Sequence, residues 1–192
     1  MEQVTVYTDG GCTHNPGIGG YGIVILRKDK SPILISKGFE YTTNNRMELM
    51  AVIETMKIFK DKDIKVEIFT DSKYITDSVN LGWIYKWKSK NFEGTKNPDL
   101  WKKLLDVLTN KFTLSWVKGH SGNKYNEMAD KLSKDYVLIS LYVDDKKPLA
   151  QPIEIEENGQ KRTLRTIGDK WSYLQRSKFG ANAQPFYVTL DN

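Results

Sequence analysis

Apolar and polar residues alternate in the first segment of the chain and again around residue 68. Residues 4–9 (VTVYTD) and 66–71 (VEIFTD) are rich in Val, Ile and aromatics, with the period of two that is typical of strands. Each run ends in an aspartate that follows an aromatic-Thr pair. If the two strands are adjacent and parallel, Asp9 and Asp71 meet at one sheet edge, where their repulsion favours a bound cation. Taken alone, either aspartate is more simply explained as a turn residue.

Hydrophobic spacing predicts five strands and five helices within residues 1–138. After a glycine-rich turn over 10–17, strands are predicted over 20–27, 32–41 and 112–117, and helices over 44–59, 72–81 and 99–110. The segment between the helices over 72–81 and 99–110 is also predicted to be helical, with a break near Gly94. The final helix is expected to bury Tyr125, Met128, Ala129 and Leu132.

The connections between these elements predict the topology of an α/β unit. Short links among the first three strands favour an antiparallel meander. The helix over 44–59 supplies the crossover that a parallel pairing of the fourth strand with the first requires. We therefore expect a mixed five-stranded sheet flanked by helices, with strands 1–3 antiparallel and strands 4 and 5 parallel to strand 1.

The character of the chain changes after residue 140. Residues 144–148 (DDKKP) are typical of a linker, and residues 153–167 predict a small β-hairpin around Asn158-Gly159. Aromatic residues are spaced through the tail that follows. We predict a main domain over 1–140 and an extension over 141–192 that packs on it, the alternatives being a second substrate-contact surface or a partner-docking tail.

Composition restricts the chemistry and the compartment. Hydrophobic residues make up 39% of the 192 residues and charged residues 28%, as in an ordinary globular protein. No run approaches the 18 apolar residues of a membrane span, and the chain enters a strand directly without a signal peptide, so a cytoplasmic location is expected. Cys12 is the single cysteine, and no Cys/His cluster has zinc spacing. A catalytic metal would therefore bind oxygen ligands, which favours magnesium or manganese.

A basic segment between residues 82 and 103 carries most of the net charge of +5. Six lysines stand there against two acids, interleaved with the aromatic residues Trp83, Tyr85, Trp87, Phe92 and Trp101. This pattern suits phosphate attraction combined with stacking. It equally suits a helix pair with the aromatics inward and the lysines in solvent.

Two further acids border predicted helix cores. Glu48 lies in the first turn of its helix next to Leu49, and Asp130 directly follows Ala129. A carboxylate at such a position is costly unless it is hydrogen-bonded or bound to a metal. Each could instead interact with a helix dipole or form an ion pair.

Motifs at five places along residues 1–138 together resemble type 1 ribonuclease H. They are Asp9-Gly10-Gly11 with Asn15-Pro16-Gly17, residues 42–49 (TTNNRMEL), Thr70-Asp71-Ser72, residues 116–120 (WVKGH), and Asn126-Glu127 ahead of Asp130. The resemblance implies a ribonuclease-H-like fold and an endonuclease that hydrolyses the RNA strand of RNA/DNA hybrids, leaving 5′-phosphate and 3′-hydroxyl ends. It also implies a monomeric protein that binds the RNA/DNA hybrid and does not bind a membrane.

The resemblance assigns metal binding to Asp9, Glu48, Asp71 and Asp130. Two Mg²⁺ ions, with Mn²⁺ as a substitute, would lie between them and the scissile phosphate, one activating the attacking water and one stabilising the leaving 3′ oxygen. His120 matches the family histidine that transfers protons or aids product release, on a loop that the glycines at 119 and 122 allow to move.

Substrate contacts follow from the same resemblance. Cys12, Asn15, Asn44 and the backbone at Gly10 and Gly11 match contacts to the RNA strand, and Thr43 matches part of a DNA-phosphate pocket. Residues Trp83, Lys86, Lys88 and Lys90 match a basic protrusion that holds the DNA strand, here with a short loop over 92–96. The predicted substrate-binding set is completed by Asn45, Lys73 and Trp87.

Two other functions compete with this one. The first is a non-catalytic hybrid-binding module of a larger complex, which would have no need of a repulsive carboxylate cluster. The second is a recombinase or exonuclease on the same fold, which predicts a different acid pattern and lacks the run over 43–48.

Overall fold

The computed structural model describes residues 2–134, 137–140, 146–157, 159–179 and 187–190. The chain divides into two compact units, one comprising Met1–Val137 and the other Leu138–Leu190. Within the described residues, none of the helices has the length and apolar character needed to cross a membrane.

The first unit is built on a five-stranded sheet flanked by helices. Its elements are β1 (Glu2–Cys12), β2 (Gly17–Leu26), β3 (Ile33–Thr42), α1 (Asn44–Phe59), β4 (Ile64–Thr70), α2 (Lys73–Asn80), α3 (Trp83–Ser89), α4 (Pro98–Val107), β5 (Phe112–Trp116) and α5 (Lys124–Lys134). The strand order is β3-β2-β1-β4-β5. Neighbouring strands among β1, β2 and β3 are antiparallel, whereas β4 is parallel to β1 and β5 to β4. The predicted mixed sheet is therefore confirmed.

The main core lies between α1 and the sheet. Alternation along β1 turns Val4 and Val6 toward α1, where Val52 and Met56 are fully buried. The opposite face of β1 meets α5, and Tyr7 contacts Tyr125 there with 5.7 Å between ring centroids. The two faces of one strand thus present different residues to two different helices.

The first strand is longer than predicted, and the predicted turn over 10–17 was wrong in its first part. Gly10, Gly11 and Cys12 continue β1 and pair with the start of β2. The glycine at position 10 marks a close approach, since a Cβ there would lie 2.2 Å from the backbone nitrogen of Glu48. A side chain at this position would push the start of α1 away from the sheet.

The buried side of α5 also differs from the prediction. Its buried residues are Asn126, Ala129 and Ser133, of which only Ala129 was expected. The helix lies so close to β2 that a Cβ at Gly22 would be 2.3 Å from the Ala129 carbonyl oxygen, so only small side chains fit between them. The other residues predicted to be buried are only half-buried; they are Tyr125, Met128 and Leu132.

The second unit contains the predicted hairpin. Strands β7 (Pro148–Glu157) and β8 (Gln160–Thr166) are antiparallel, and Glu157 pairs with Gln160 across a two-residue loop. Gly159 has the positive φ of 75° that such a turn requires, while Asn158 and residues 144 and 145 of the predicted linker lie outside the described residues. Three elements were not predicted: α6 (Ile167–Phe179), β6 (Val137–Ser140) and β9 (Tyr187–Leu190), of which β6 and β9 pair. The packing of residues 141–192 on the main domain stays a prediction.

Candidate active site

Three carboxylates converge where β1 and β4 end. The register of these parallel strands pairs Thr8 with Thr70, so Asp9 and Asp71 emerge side by side. Glu48 joins them from the first turns of α1, which approaches β1 at Gly10. One oxygen from each of the three carboxyl groups lies within 4.8 Å of the other two.

Hydrogen bonds hold the end of β4 beside this cluster. The Thr70 hydroxyl lies 3.5 Å from Glu48 Oε2 and accepts a bond of 3.1 Å from the Ser72 amide. The Trp116 indole nitrogen donates to the Asp71 carbonyl oxygen at 3.0 Å. These bonds fix the end of β4, and with it Asp71, next to Glu48 of α1.

Burial and mutual repulsion change the acidity of the cluster. Burial, and then the charge of Asp71, raise the pKa of Asp9 to about 6. Burial and the charges of Asp9 and Asp71 raise the pKa of Glu48 well above its usual value. Such an arrangement disfavours three negative charges together and is relieved by a divalent cation. Because all the ligand atoms are carboxylate oxygens, the site fits a hard cation of the Mg²⁺ or Mn²⁺ kind.

Asp130, the fourth predicted acid, lies next to the cluster but outside it. Among the described residues, the group with mutually close ligand atoms contains Asp9, Glu48 and Asp71. The Asp130 carboxylate instead accepts two bonds from the Lys134 ammonium group, at 2.6 and 2.8 Å. Its charge nevertheless raises the pKa of Asp9 and of Glu48, so it borders the site.

His120 is exposed on the loop between β5 and α5. The loop begins against the cluster, because a Cβ at Gly119 would lie 2.6 Å from Asp71 Oδ2. His120 itself has a positive φ of 49°, and the Gly122 amide donates to the Glu127 carboxylate at 3.0 Å. The structure thus carries the predicted histidine on a loop that touches one of the acids.

The predicted contacts to the RNA strand lie together at the start of α1. The Asn44 amide donates to the Asn15 side chain at 3.3 Å, and the Cys12 thiol contacts the Thr42 carbonyl oxygen at 3.6 Å. Thr43 is the N-cap of α1, and its hydroxyl accepts from the Arg46 amide at 3.4 Å. Asn45 is exposed on the first turn. Glu48 of the acid cluster lies in the same first turns of α1, where the backbone approaches Gly10.

Most aromatic residues of the basic segment are buried or half-buried, and its lysines are exposed. Trp87 is half-buried and packs edge-on against the buried Trp101, with 5.1 Å between the ring centroids. Trp83 is half-buried as well. The exposed lysines of the predicted set are Lys73, Lys86, Lys88 and Lys90. Tyr85 is 56% exposed, so the helix-pair interpretation holds for the other four aromatics and not for this one. The ammonium groups of the exposed lysines are accessible to phosphates.

Three side chains near the site were not singled out from the sequence. The Ser133 hydroxyl lies 2.9 Å from Asp9 Oδ2, and Thr70 touches Glu48. Arg46 joins the start of α1 to α4 through two bonds to Asp99, of 3.0 and 2.7 Å. A signal existed for Ser133 alone, because a small polar residue three positions after Asp130 falls near the same helix face.

Comparisons with known proteins agree with this geometry. The family model described as RNase H matches residues 1–137. The chain is 50% identical over 137 residues to a ribonuclease H of Trichodesmium erythraeum, covering 68% of this chain and 86% of that protein. It is 44% identical over 138 residues to a ribonuclease HI of Synechocystis sp., covering 69% and 86%.

Solved structures give the same result. LC9-RNase H1, described as a type 1 RNase H with the type 2 active-site motif, has a TM-score of 0.62 at 28% identity, covering 70% of this chain and 71% of that one. LC11-RNase H1, solved in complex with an RNA/DNA hybrid, has a TM-score of 0.51 at 26% identity, covering 69% and 94%. The fold and its acid cluster define a metal-dependent nuclease. The chain belongs to the ribonuclease H family.

Proposed function

We propose that this protein hydrolyses the RNA strand of RNA/DNA hybrids through the carboxylate cluster at the ends of β1 and β4. The chain is an endonuclease of the ribonuclease H family. The observation that carries the proposal is the convergence of Asp9, Glu48 and Asp71 within 4.8 Å. A hybrid-binding module would have no use for acids held this close, since their repulsion costs stability.

Two Mg²⁺ ions are the cofactors that we assign to this site, with Mn²⁺ as a substitute. Asp9, Glu48 and Asp71 would hold them, and Asp130 would join after its carboxylate leaves Lys134. When bound, the ions supply a water of lowered pKa and neutralise the charge that develops on the phosphate and the leaving 3′ oxygen. The products are then a 5′-phosphate and a 3′-hydroxyl.

The remaining assignments concern protons and substrate. We assign to His120 the exchange of a proton with the reacting groups or a role in product release, because its loop begins against Asp71. Cys12, Asn15 and Asn44 would contact the 2′-hydroxyls of the RNA strand. Thr43 and the exposed lysines of α3 would hold phosphates of the DNA strand. The monomeric state and the cytoplasmic location stay predictions.

The experiment that tests this function compares three labelled duplexes. RNA/DNA, RNA/RNA and DNA/DNA are incubated with the protein and magnesium or with a chelator. We expect cleavage of the RNA strand of RNA/DNA alone, abolished by the chelator and by Asp71→Asn. The exposed Asp61→Asn serves as the matched control and should retain full activity. Equal cleavage of all three duplexes, or full activity of Asp71→Asn, would contradict the proposal.

A further inference from the structure

Ser133 lies on the buried side of α5, with a relative exposure of only 1%. Its hydroxyl oxygen is 2.9 Å from Asp9 Oδ2 and 2.8 Å from the Asp130 carbonyl oxygen. A hydroxyl group carries one hydrogen, so it donates to one of these acceptors at a time. An ionised carboxylate is the stronger acceptor. The bond to Asp9 is therefore favoured when Asp9 is charged.

The backbone around Ser133 explains why its hydroxyl reaches the strand. Asp9 pairs with Gly22 across β1 and β2. A Cβ at Gly22 would lie 2.8 Å from the Ser133 amide nitrogen, and one at Gly11 would lie 3.5 Å from the Ser133 hydroxyl oxygen. The helix thus rests directly on the strands at this point. Only a small side chain fits, and of the small residues serine supplies a donor.

We propose that Ser133 is a positioning residue for the metal site. Its bond occupies one oxygen of Asp9 and fixes the plane of that carboxyl group, which otherwise rotates about its own side-chain bonds. Because Ser133 lies on α5 and Asp9 on β1, the same bond also ties the helix to the strand, three positions from Asp130. Groups that hold metal ligands in this way increase the affinity of the site for its ion. The proposal rests on the assignment of Asp9 as a ligand.

A purely local role makes a different prediction. Serine in a helix commonly donates to a carbonyl oxygen three or four residues earlier. Ser78 in α2 does this: it is fully buried, and its hydroxyl donates to the Tyr74 carbonyl oxygen at 2.6 Å. Ser78→Ala therefore measures the cost of removing a buried helical hydroxyl away from the acid cluster. It is the matched control for Ser133→Ala.

The test measures Mn²⁺ binding to the full chain without nucleic acid, by electron paramagnetic resonance at pH 8. We expect Ser133→Ala to weaken Mn²⁺ binding by roughly tenfold, the lower end of the range for loss of a group that supports a metal ligand. Ser78→Ala should bind Mn²⁺ as the unchanged protein does. Thermal melts without metal should show a loss of stability in both variants, larger in Ser133→Ala because its bond is to an ionised carboxylate.

A further variant, Asp71→Asn, distinguishes failure of the role of Ser133 from failure of the metal site itself. Asp71→Asn that binds Mn²⁺ as tightly as the unchanged protein would overturn the metal site itself. If Asp71→Asn loses binding but Ser133→Ala keeps it in full, the role of Ser133 is overturned and the site stands. Ser133→Cys keeps a similar size with a weaker donor and should bind with intermediate affinity. Should Ser133→Ala fail to fold, unchanged affinity in Ser133→Cys overturns the inference.

Discussion

The acid cluster and the basic helix α3 hold their charges in opposite ways. Asp9 is 5% exposed, and its pKa is raised by burial and by Asp71. Lys86 and Lys88 are exposed, and α3 is anchored through other residues, such as the fully buried Ile84. Charges that the fold keeps out of water mark the place where chemistry occurs, whereas charges in solvent contribute attraction. Substitutions in the first region should therefore lower turnover, and those in the second should weaken binding.

The largest effect is expected for Glu48→Gln, which keeps the size of the side chain but removes its charge. We expect kcat to fall by more than about 100-fold, because a direct ligand should matter more than the groups that support one. The Michaelis constant for the hybrid should change little. Steady-state kinetics with Glu54→Gln as the control, a glutamate farther along the same helix, checks this. A change confined to the Michaelis constant would contradict the distinction between the two regions.

A smaller effect is expected for the lysines of α3. Replacing both Lys86 and Lys88 by glutamine should raise the Michaelis constant and leave kcat nearly unchanged. The slope of log binding constant against log salt should become shallower by about 2, because two phosphates would no longer be neutralised by the protein. The control changes Lys28 and Lys30, which are exposed lysines outside this segment. An equal change of slope in the control would show that only total charge matters.

The last effect concerns stability instead of activity, namely how pH changes the stability of the metal-free protein. Because the pKa of Asp9 is raised to about 6 from 3.8, folding favours its protonated form, and the stability that this gives is lost as pH rises through about 4 to 6. Asp9→Asn removes this loss. The free energy of unfolding of the variant, relative to the unchanged chain, should rise by up to about 3 kcal/mol over that window.

Urea denaturation at pH 4, 6 and 8 without metal measures this difference. Taking the difference between the two chains cancels the titration of carboxyl groups that Asp9 does not influence. Glu48, whose pKa the charge of Asp9 raises, adds to the difference in the same direction. Added Mg²⁺ should stabilise the unchanged chain more at pH 8 than at pH 5, since the ion competes with protons. If the difference in free energy of unfolding stayed constant across the pH range, folding would not raise the pKa of Asp9 and the prediction would be wrong.

The sequence predicted what depends on local pattern and on chain connectivity. Asp9 and Asp71 could be placed together because each ends a strand and the intervening helix demands a parallel pairing. Ser133 could not be assigned, because its bond to Asp9 spans 124 positions and depends on how closely α5 approaches Gly22. The pairing of Asp130 with Lys134 is different, because it joins two residues four positions apart on one helix and the ion-pair alternative for Asp130 had allowed for it. Contacts set by the distance between packed elements leave little trace in hydrophobic spacing.

Two glycines beside the cluster, Gly10 and Gly119, differ in what an added side chain would disturb. A methyl group at position 10 would collide with backbone of α1, which cannot give way without disturbing the packing of the helix. At position 119 it would meet only the carboxylate tip of Asp71, which can turn aside at little cost to folding. A variant at 119 would therefore be soluble, well folded and catalytically poor. Screens that select for expression or heat resistance would accept such a chain, and only a screen for activity would discard it.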